Sequence, residues 1–257
     1  MRFLCLHGMG TNSAVFEAQL APIVANLDTS HEFVFIDGLT ECDAAEGVKE
    51  IFPGPFYCYY RQPTLDQLQE AFDLIYDVVD EEGPFDGIIG FSQGAALASS
   101  LLLDHQKNNP RGQPLFRVAV FLCGSLPFDL DSIDSPEDYQ AVISPETGLV
   151  RIQDVITSAF VESSKTSGFV NGSYPGDSFL RRHHAKKTTT RINVPTVHIV
   201  GEDDPYLPQG RALVDLCVGE KVVVTHDLGH MLPRDSNFSQ KAASAAENMI
   251  SKAIFQS

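Results

Sequence analysis

The sequence predicts an α/β fold, a mostly parallel sheet of about six strands with helices on both faces. Two observations carry that prediction. Short apolar runs alternate with longer amphipathic stretches, the pattern left by a parallel sheet covered with helices. At 257 residues and 43% hydrophobic composition, the chain can also bury a large core without disulfide or metal staples. No repeat, low-complexity tract or linker interrupts the pattern, so one domain over 1–257 is expected.

The strands are expected at 2–6, 32–36, 86–89, 117–122, 196–200 and 221–225. Helices should begin near Ser13, Thr64, Gln93, Pro208 and Ser239. In the second helix, Leu65, Leu68, Phe72, Ile75 and Val79 recur at spacings of three and four, which gives one apolar face. Thr64 is placed to cap it and Gly83-Pro84 to end it. Between the fourth and fifth strands lies a long stretch, 124–195, with a helix expected near 148–162. A connection that long inside a domain usually serves function, and a partial lid over the site is the expectation.

Charge and cysteine usage narrow the classes of partner. The chain has 34 acidic and 18 basic side chains, a formal charge of -16. Such a surface repels nucleic acid and anionic lipid, so neither is expected as a partner. Cys5, Cys42, Cys58, Cys123 and Cys217 form no CxxC pair and are odd in number, so neither a disulfide framework nor a metal site is suggested. Free thiols in a reducing compartment are expected. Residues 1–6 read as a buried strand rather than a leader, and no apolar run reaches membrane-spanning length. A cytoplasmic protein without a cofactor follows as the expectation.

Gly90-Phe91-Ser92-Gln93-Gly94 matches GxSxG between the apolar run Phe85-Asp86-Gly87-Ile88-Ile89 and the helix-forming Ala95-Ala96-Leu97-Ala98. That strand–turn–helix setting is the nucleophile elbow of α/β-hydrolases, which lifts a serine to the carboxyl end of the sheet. Ser92 is therefore the candidate nucleophile. A serine hydroxyl needs a base, and in this fold the chain order is Ser, Asp, His. His230, in Asp227-Leu228-Gly229-His230-Met231 after the last strand, is the candidate base. His226 is its rival but lies nearer the strand. His198 alternates with apolar residues and reads as structural, while His31, His105, His183 and His184 read as solvated. The acid should follow the preceding strand, where Glu202, Asp203 and Asp204 are adjacent. The Gly-x-x-Asp spacing favours Asp204, although charge alone does not separate the three. Backbone N–H groups of Met9, in Leu6-His7-Gly8-Met9-Gly10, and of Gln93 fit the oxyanion hole, with His7 shaping the loop.

With these residues assembled, the sequence resembles the family of serine hydrolases found mainly in fungi, with relatives in animals (FSH-like α/β-hydrolases). The likeness is carried by Phe3-Leu4-Cys5-Leu6-His7-Gly8-Met9-Gly10-Thr11-Asn12, by Gly54-Pro55-Phe56-Tyr57, by Gly87-Ile88-Ile89-Gly90-Phe91-Ser92-Gln93-Gly94-Ala95 and by the two later loops. It implies esterase or thioesterase activity and a sheet without the first strands of larger relatives. Some members resemble polyketide-releasing thioesterases. Phe56-Tyr57-Cys58-Tyr59-Tyr60 departs from the family, which often has Trp near Tyr59; this chain has none. Phe56, Tyr57 and Tyr59 are candidate substrate-binding residues, with core packing the other reading.

The expected function is hydrolysis of an acyl thioester or ester through an acyl-enzyme on Ser92, with release of a polyketide or fatty acyl chain in secondary metabolism. A small-ester carboxylesterase is the first alternative, and a non-catalytic receptor on a hydrolase fold the second. Within this acidic chain, Arg181, Arg182, Lys186, Lys187 and Arg191 cluster, with no Asp or Glu from 178 to 201. A solvated basic face that offsets the acidic surface is the favoured reading of the cluster; docking of an acyl carrier domain or coenzyme A is the sharper alternative.

Overall fold

Alternation along the strands divides the apolar residues between two cores. In β1 (Arg2–Leu6), Leu4 and Leu6 join one buried cluster, while Phe3 and Cys5 join the other. In β5 (Gly87–Phe91), Ile88 faces the first cluster and Ile89 and Phe91 the second. Strands apolar on both faces belong in the middle of a helix-covered parallel sheet. With β2 (Glu32–Ile36), β6 (Val118–Leu122), β11 (Thr196–Gly201) and β12 (Lys221–His226), they form a six-stranded sheet. Its order is β12-β11-β6-β5-β1-β2, and every pairing is parallel. In the computed structural model the described residues are 1–133, 139–143, 150–154 and 180–255.

Helices α2 (Leu65–Glu82), α3 (Gln93–Asn108) and α4 (Leu207–Leu216) contribute to the core that holds Leu4 and Ile88. α1 (Ser13–Val24) and α5 (Ser236–Phe255) contribute to the core on the other face. The Asn12 side chain caps α1 by accepting from the Val15 N–H at 2.8 Å. Thr64 stands at the N-cap of α2, but its hydroxyl makes no capping hydrogen bond. The Gln67 amide oxygen organises that turn instead, accepting from Arg61 N and Gln62 N at 2.7 and 3.1 Å.

The order of strands places the site. β1 and β5 are neighbours, yet the helices that follow them, α1 and α3, contribute to opposite faces. The chain therefore opens a crevice above the carboxyl ends of β1 and β5, where ligands bind in open α/β sheets. His7–Gly10 leaves β1 there, and Ser92 leaves β5.

The long connection differs from expectation. It contains β7 (Phe128–Ile133) antiparallel to β10 (Leu180–Arg182), and β8 (Tyr139–Ile143) antiparallel to β9 (Val150–Asp154). Part of the helix expected at 148–162 is thus the strand β9, because backbone pairing with β8 satisfies this segment in place of a helix. The rest of that helix, and half of the expected lid, lie outside the described residues. A third ribbon pairs β3 (Thr40–Glu41) with β4 (Tyr57–Cys58). Among the described residues, no helix is long and apolar enough to cross a membrane.

His198 sits in β11 with Nε2 3.1 Å from Thr196 Oγ1 and its ring against Phe121. Burial, aided by Lys221, pushes its pKa down to about 3. A histidine depressed in this way stabilises the fold above its unfolded pKa of about 6.5, and that contribution fades as pH falls toward the folded value. His198→Gln should therefore lose less stability than the wild type between pH 7 and pH 5, by about 2 kcal/mol. Urea unfolding of both proteins at the two pH values measures this difference.

Candidate active site

The GxSxG turn is fixed by close backbone approach. A Cβ at Gly90 would lie 2.5 Å from the Ala95 nitrogen, and one at Gly94 would lie 2.2 Å from the Leu6 carbonyl oxygen. Only glycine lets α3 begin against the end of β1. Ser92 itself takes φ 52° and ψ -110°, a strained conformation for a non-glycine residue. Its N–H donates to Leu122 O at 2.9 Å. The next side chain locks the turn: Gln93 Oε1 accepts from Tyr59 N at 2.9 Å, and Gln93 Nε2 donates to Tyr60 O at 2.8 Å.

Ser92, His230 and Asp204 meet at this turn. Ser92 Oγ lies 2.7 Å from His230 Nε2, and His230 Nδ1 lies 2.8 Å from Asp204 Oδ2. The acidic turn after β11 sorts its three carboxylates: Asp204 is buried, while Glu202 and Asp203 are exposed. The other Asp204 oxygen, Oδ1, accepts from Tyr206 N at 2.8 Å. The His230 imidazole packs against Tyr206 and Phe91, with ring centroids 5.1 and 5.4 Å away. His226 is turned away from this chain of contacts. Its ring stands edge-on to Phe238, its Nδ1 accepts from Leu228 N at 3.3 Å, and burial lowers its pKa.

Cys123 Sγ joins an Asp204 oxygen and a His230 nitrogen within 4.8 Å, the one such grouping of potential metal ligands among the described residues. The His230–Asp204 separation of 2.8 Å suits a shared proton. Tetrahedral zinc with bonds of about 2.1 Å would hold its ligand atoms about 3.4 Å apart.

The site opens into a cleft of about 500 Å³ lined by Met9, Tyr60, Arg61, Ser92, Gln93, Ser125, Tyr206 and His230, with Gly10 and Asp43–Ala45 at one side. Met9 and Gln93 thus both face the space beside Ser92, and the Gln93 N–H, first in α3, has no acceptor within its own helix. His7 shapes this loop. Its Nδ1–H donates to Gly8 O at 2.7 Å, its Nε2 accepts from Gly38 N at 2.9 Å, and burial lowers its pKa, which keeps it neutral.

Phe56, Tyr57 and Tyr59 are not among the residues lining the cleft. Tyr59 is buried, with its hydroxyl accepting from His7 N and donating to Ile36 O, both at 3.1 Å. The aromatic that reaches the cleft is its neighbour Tyr60; both residues lie past the end of β4, so no strand alternation in the sequence separates them. Ser125 and Tyr206 gave no signal either.

The basic cluster is less uniform than its sequence suggests. Arg182 lies over the Phe128 ring and donates to Leu126 O and Ser125 Oγ. Arg191 donates to the carbonyls of Ala185, Thr188 and Thr190. Lys186 and Lys187 are exposed, and Arg181 is half-buried. His183 and His184, expected in solvent, are buried. The turn after β10 packs inward, with His183 N donating to Pro127 O at 2.8 Å.

Sheet order and elbow together define an α/β-hydrolase. The same fold is seen in the Bacillus cereus carboxylesterase crystal structure, with TM-score 0.52, 13% identity, and coverage of 96% of this chain and 87% of that one. The pattern of the serine hydrolase (FSH1) family matches residues 1–242, and the chain belongs to that family. It is similar to Esterase alnB of Emericella nidulans, 35% identical over 272 residues, covering 96% of this chain and 95% of alnB. Esterase FPY3 of Fusarium mangiferae is 31% identical over 260 residues, covering 99% of both chains.

The burial of one carboxylate out of three yields a direct prediction. Asp204→Asn should lower ester hydrolysis by about 10⁴ in kcat, because the amide favours the wrong imidazole tautomer. Asp203→Asn, at an exposed position, should change it by less than about threefold. Steady-state kinetics of the two purified variants checks the contrast.

Proposed function

We propose that this serine hydrolase cleaves an acyl thioester or ester through an acyl-enzyme on Ser92. The observation that carries the proposal is the unbroken pair of hydrogen bonds from Ser92 Oγ through His230 to the buried Asp204 carboxylate. His230 Nε2 takes the serine proton as Oγ attacks the acyl carbonyl, while Asp204 holds Nδ1–H and stabilises the imidazolium. The tetrahedral oxyanion is received by the backbone N–H groups of Met9 and Gln93, and such donors commonly contribute ~3 kcal/mol. Collapse expels the thiol or alcohol, which takes its proton from His230. Water activated by the same imidazole then releases the acid and frees Ser92.

The cleft walls favour an acyl chain with apolar and aromatic character, through Met9, Ala44, Ala45, Tyr60 and Tyr206. The names of alnB and FPY3 as esterases agree with this chemistry. Release of a polyketide or fatty acyl chain in secondary metabolism is the physiological role we propose, with the segment 124–195 acting as a lid. In the same reading, Arg181, Arg182, Lys186 and Lys187 dock an acyl carrier domain or coenzyme A. Arg182 supports this placement, since it contacts Ser125, a cleft-lining residue. Basic residues on an acidic protein accelerate encounter with an anionic partner.

Ser92→Ala should abolish turnover of esters and thioesters, and His230→Ala should lower kcat by ~10⁴ or more. Full activity in Ser92→Ala would refute the acyl-enzyme. For docking, Lys186→Glu with Lys187→Glu should slow hydrolysis of a carrier-bound acyl thioester and leave a small neutral thioester unchanged. Added salt should slow the wild type on the carrier-bound substrate in the same way. An equal response from both substrates contradicts the docking role.

A further inference from the structure

Cys123, the residue after β6, takes an unusual backbone conformation. Its φ is 47°, in the left-handed region that a cysteine rarely adopts, and its N–H donates to Ile199 O at 2.8 Å. The residue is 2% exposed. Its Sγ lies 3.7 Å from Met231 O, the carbonyl of the residue after His230. The same sulfur belongs to the group with the Asp204 carboxylate and the His230 imidazole, all within 4.8 Å. A strained residue thus inserts a thiol between the turn that carries the acid and the loop that carries the base. Strain of this kind persists where the surroundings over-determine it, and it concentrates at functional sites.

We propose that Cys123 is a positioning residue for the Asp204–His230 pair, sharing its thiol proton between the Asp204 carboxylate and the Met231 carbonyl. This role rests on the triad reading above. Asp204 Oδ2 receives His230 Nδ1–H and Oδ1 receives Tyr206 N–H, each at 2.8 Å. A thiol donor completes the shell of a carboxylate with little access to water. The thiol takes up part of the carboxylate's charge, so its loss should strengthen the hold of Asp204 on the imidazole proton. Burial first, and then the Asp204 charge, push the Cys123 thiol well up, so it stays protonated and able to donate. The other groups facing the pair are consistent with this balance. Ser92 heads α3 on the far side of the imidazole, Tyr206 leads into α4, and His226 at the end of β12 is held toward its neutral form by burial, with Asp204 and Asp227 opposing. Glu202 and Asp203 share the turn but are exposed.

The test is the pH profile of kcat/KM for wild type, Cys123→Ala, Cys123→Ser and Ser92→Ala on one ester, from about pH 5 to about pH 9. Cys123→Ala keeps a Cβ at the strained position and removes only the donor. Its acid limb should move up by about half a pH unit, the size expected for loss of one weak hydrogen bond to a carboxylate. Cys123→Ser keeps a donor, and its limb should stay at or below the wild-type position. The low-field proton resonance of His230 Nδ1–H should shift in Cys123→Ala and reads the same contact without turnover. An Ala profile that superimposes on wild type overturns the proposal, even if its melting temperature falls. So does a Ser limb displaced upward as far as that of Ala. An active Ser92→Ala variant would instead remove the triad reading, and the role of Cys123 with it. An inactive Ser92→Ala with an unmoved Cys123→Ala limb leaves the triad standing and removes Cys123 alone.

Discussion

Ser92 is held at φ 52° and ψ -110°, and the rest of the site depends on that constraint. A non-glycine residue in such a conformation costs on the order of 1–3 kcal/mol, so the surroundings must hold it there. They do so through contacts that reach every part of the site. Gly94 brings α3 against the Leu6 carbonyl, Leu122 O takes the Ser92 N–H, and the Gln93 amide ties the turn to the backbone of Tyr59 and Tyr60. Tyr59 in turn hydrogen-bonds His7 N, so the turn at Ser92 and the loop after β1 are parts of one network. The cost of the elbow is thereby spread over buried hydrogen bonds that already stabilise the sheet ends.

The same economy governs charge. A protein with a formal charge of -16 has carboxylates in excess, and what distinguishes Asp204 is the turn that buries it. Buried anions need donors, and Asp204 has them in His230 Nδ1–H and Tyr206 N–H. The neutral buried histidines serve the fold instead. His7 and His198 are depressed by burial and bonded within the structure, which leaves His230, packed between Tyr206 and Phe91, as the imidazole at the serine.

Much of this was legible in the sequence, because the deciding features are local. Short apolar runs between amphipathic stretches located all six central strands to within about two residues. The glycines of the elbow pointed to Ser92, and chain order pointed to the turn of Asp204 and the loop of His230, three residues that the fold brings within hydrogen-bond distance. What was not legible depends on packing across the sequence. Val150–Asp154 pairs with Tyr139–Ile143, a contact that helical periodicity cannot report. Tyr59 and Tyr60 are adjacent and chemically alike, yet one is a core hydrogen-bonding group and the other a cleft wall. His183 and His184 lie among basic residues that suggest solvent, but the turn after β10 folds them inward. Cys123 read as one free thiol among five, and only the meeting of β6 with two distant loops sets it beside Asp204.

The central claim is that Ser92 is a nucleophile made reactive by His230 and Asp204. The most direct measurement is covalent labelling with a fluorophosphonate, which reports an activated serine without any assumption about substrate. Peptide mapping by mass spectrometry should find the adduct on Ser92 in the wild type, with labelling lost in Ser92→Ala and strongly slowed in His230→Ala. An adduct on another serine, or undiminished labelling of Ser92 in His230→Ala, would contradict the account.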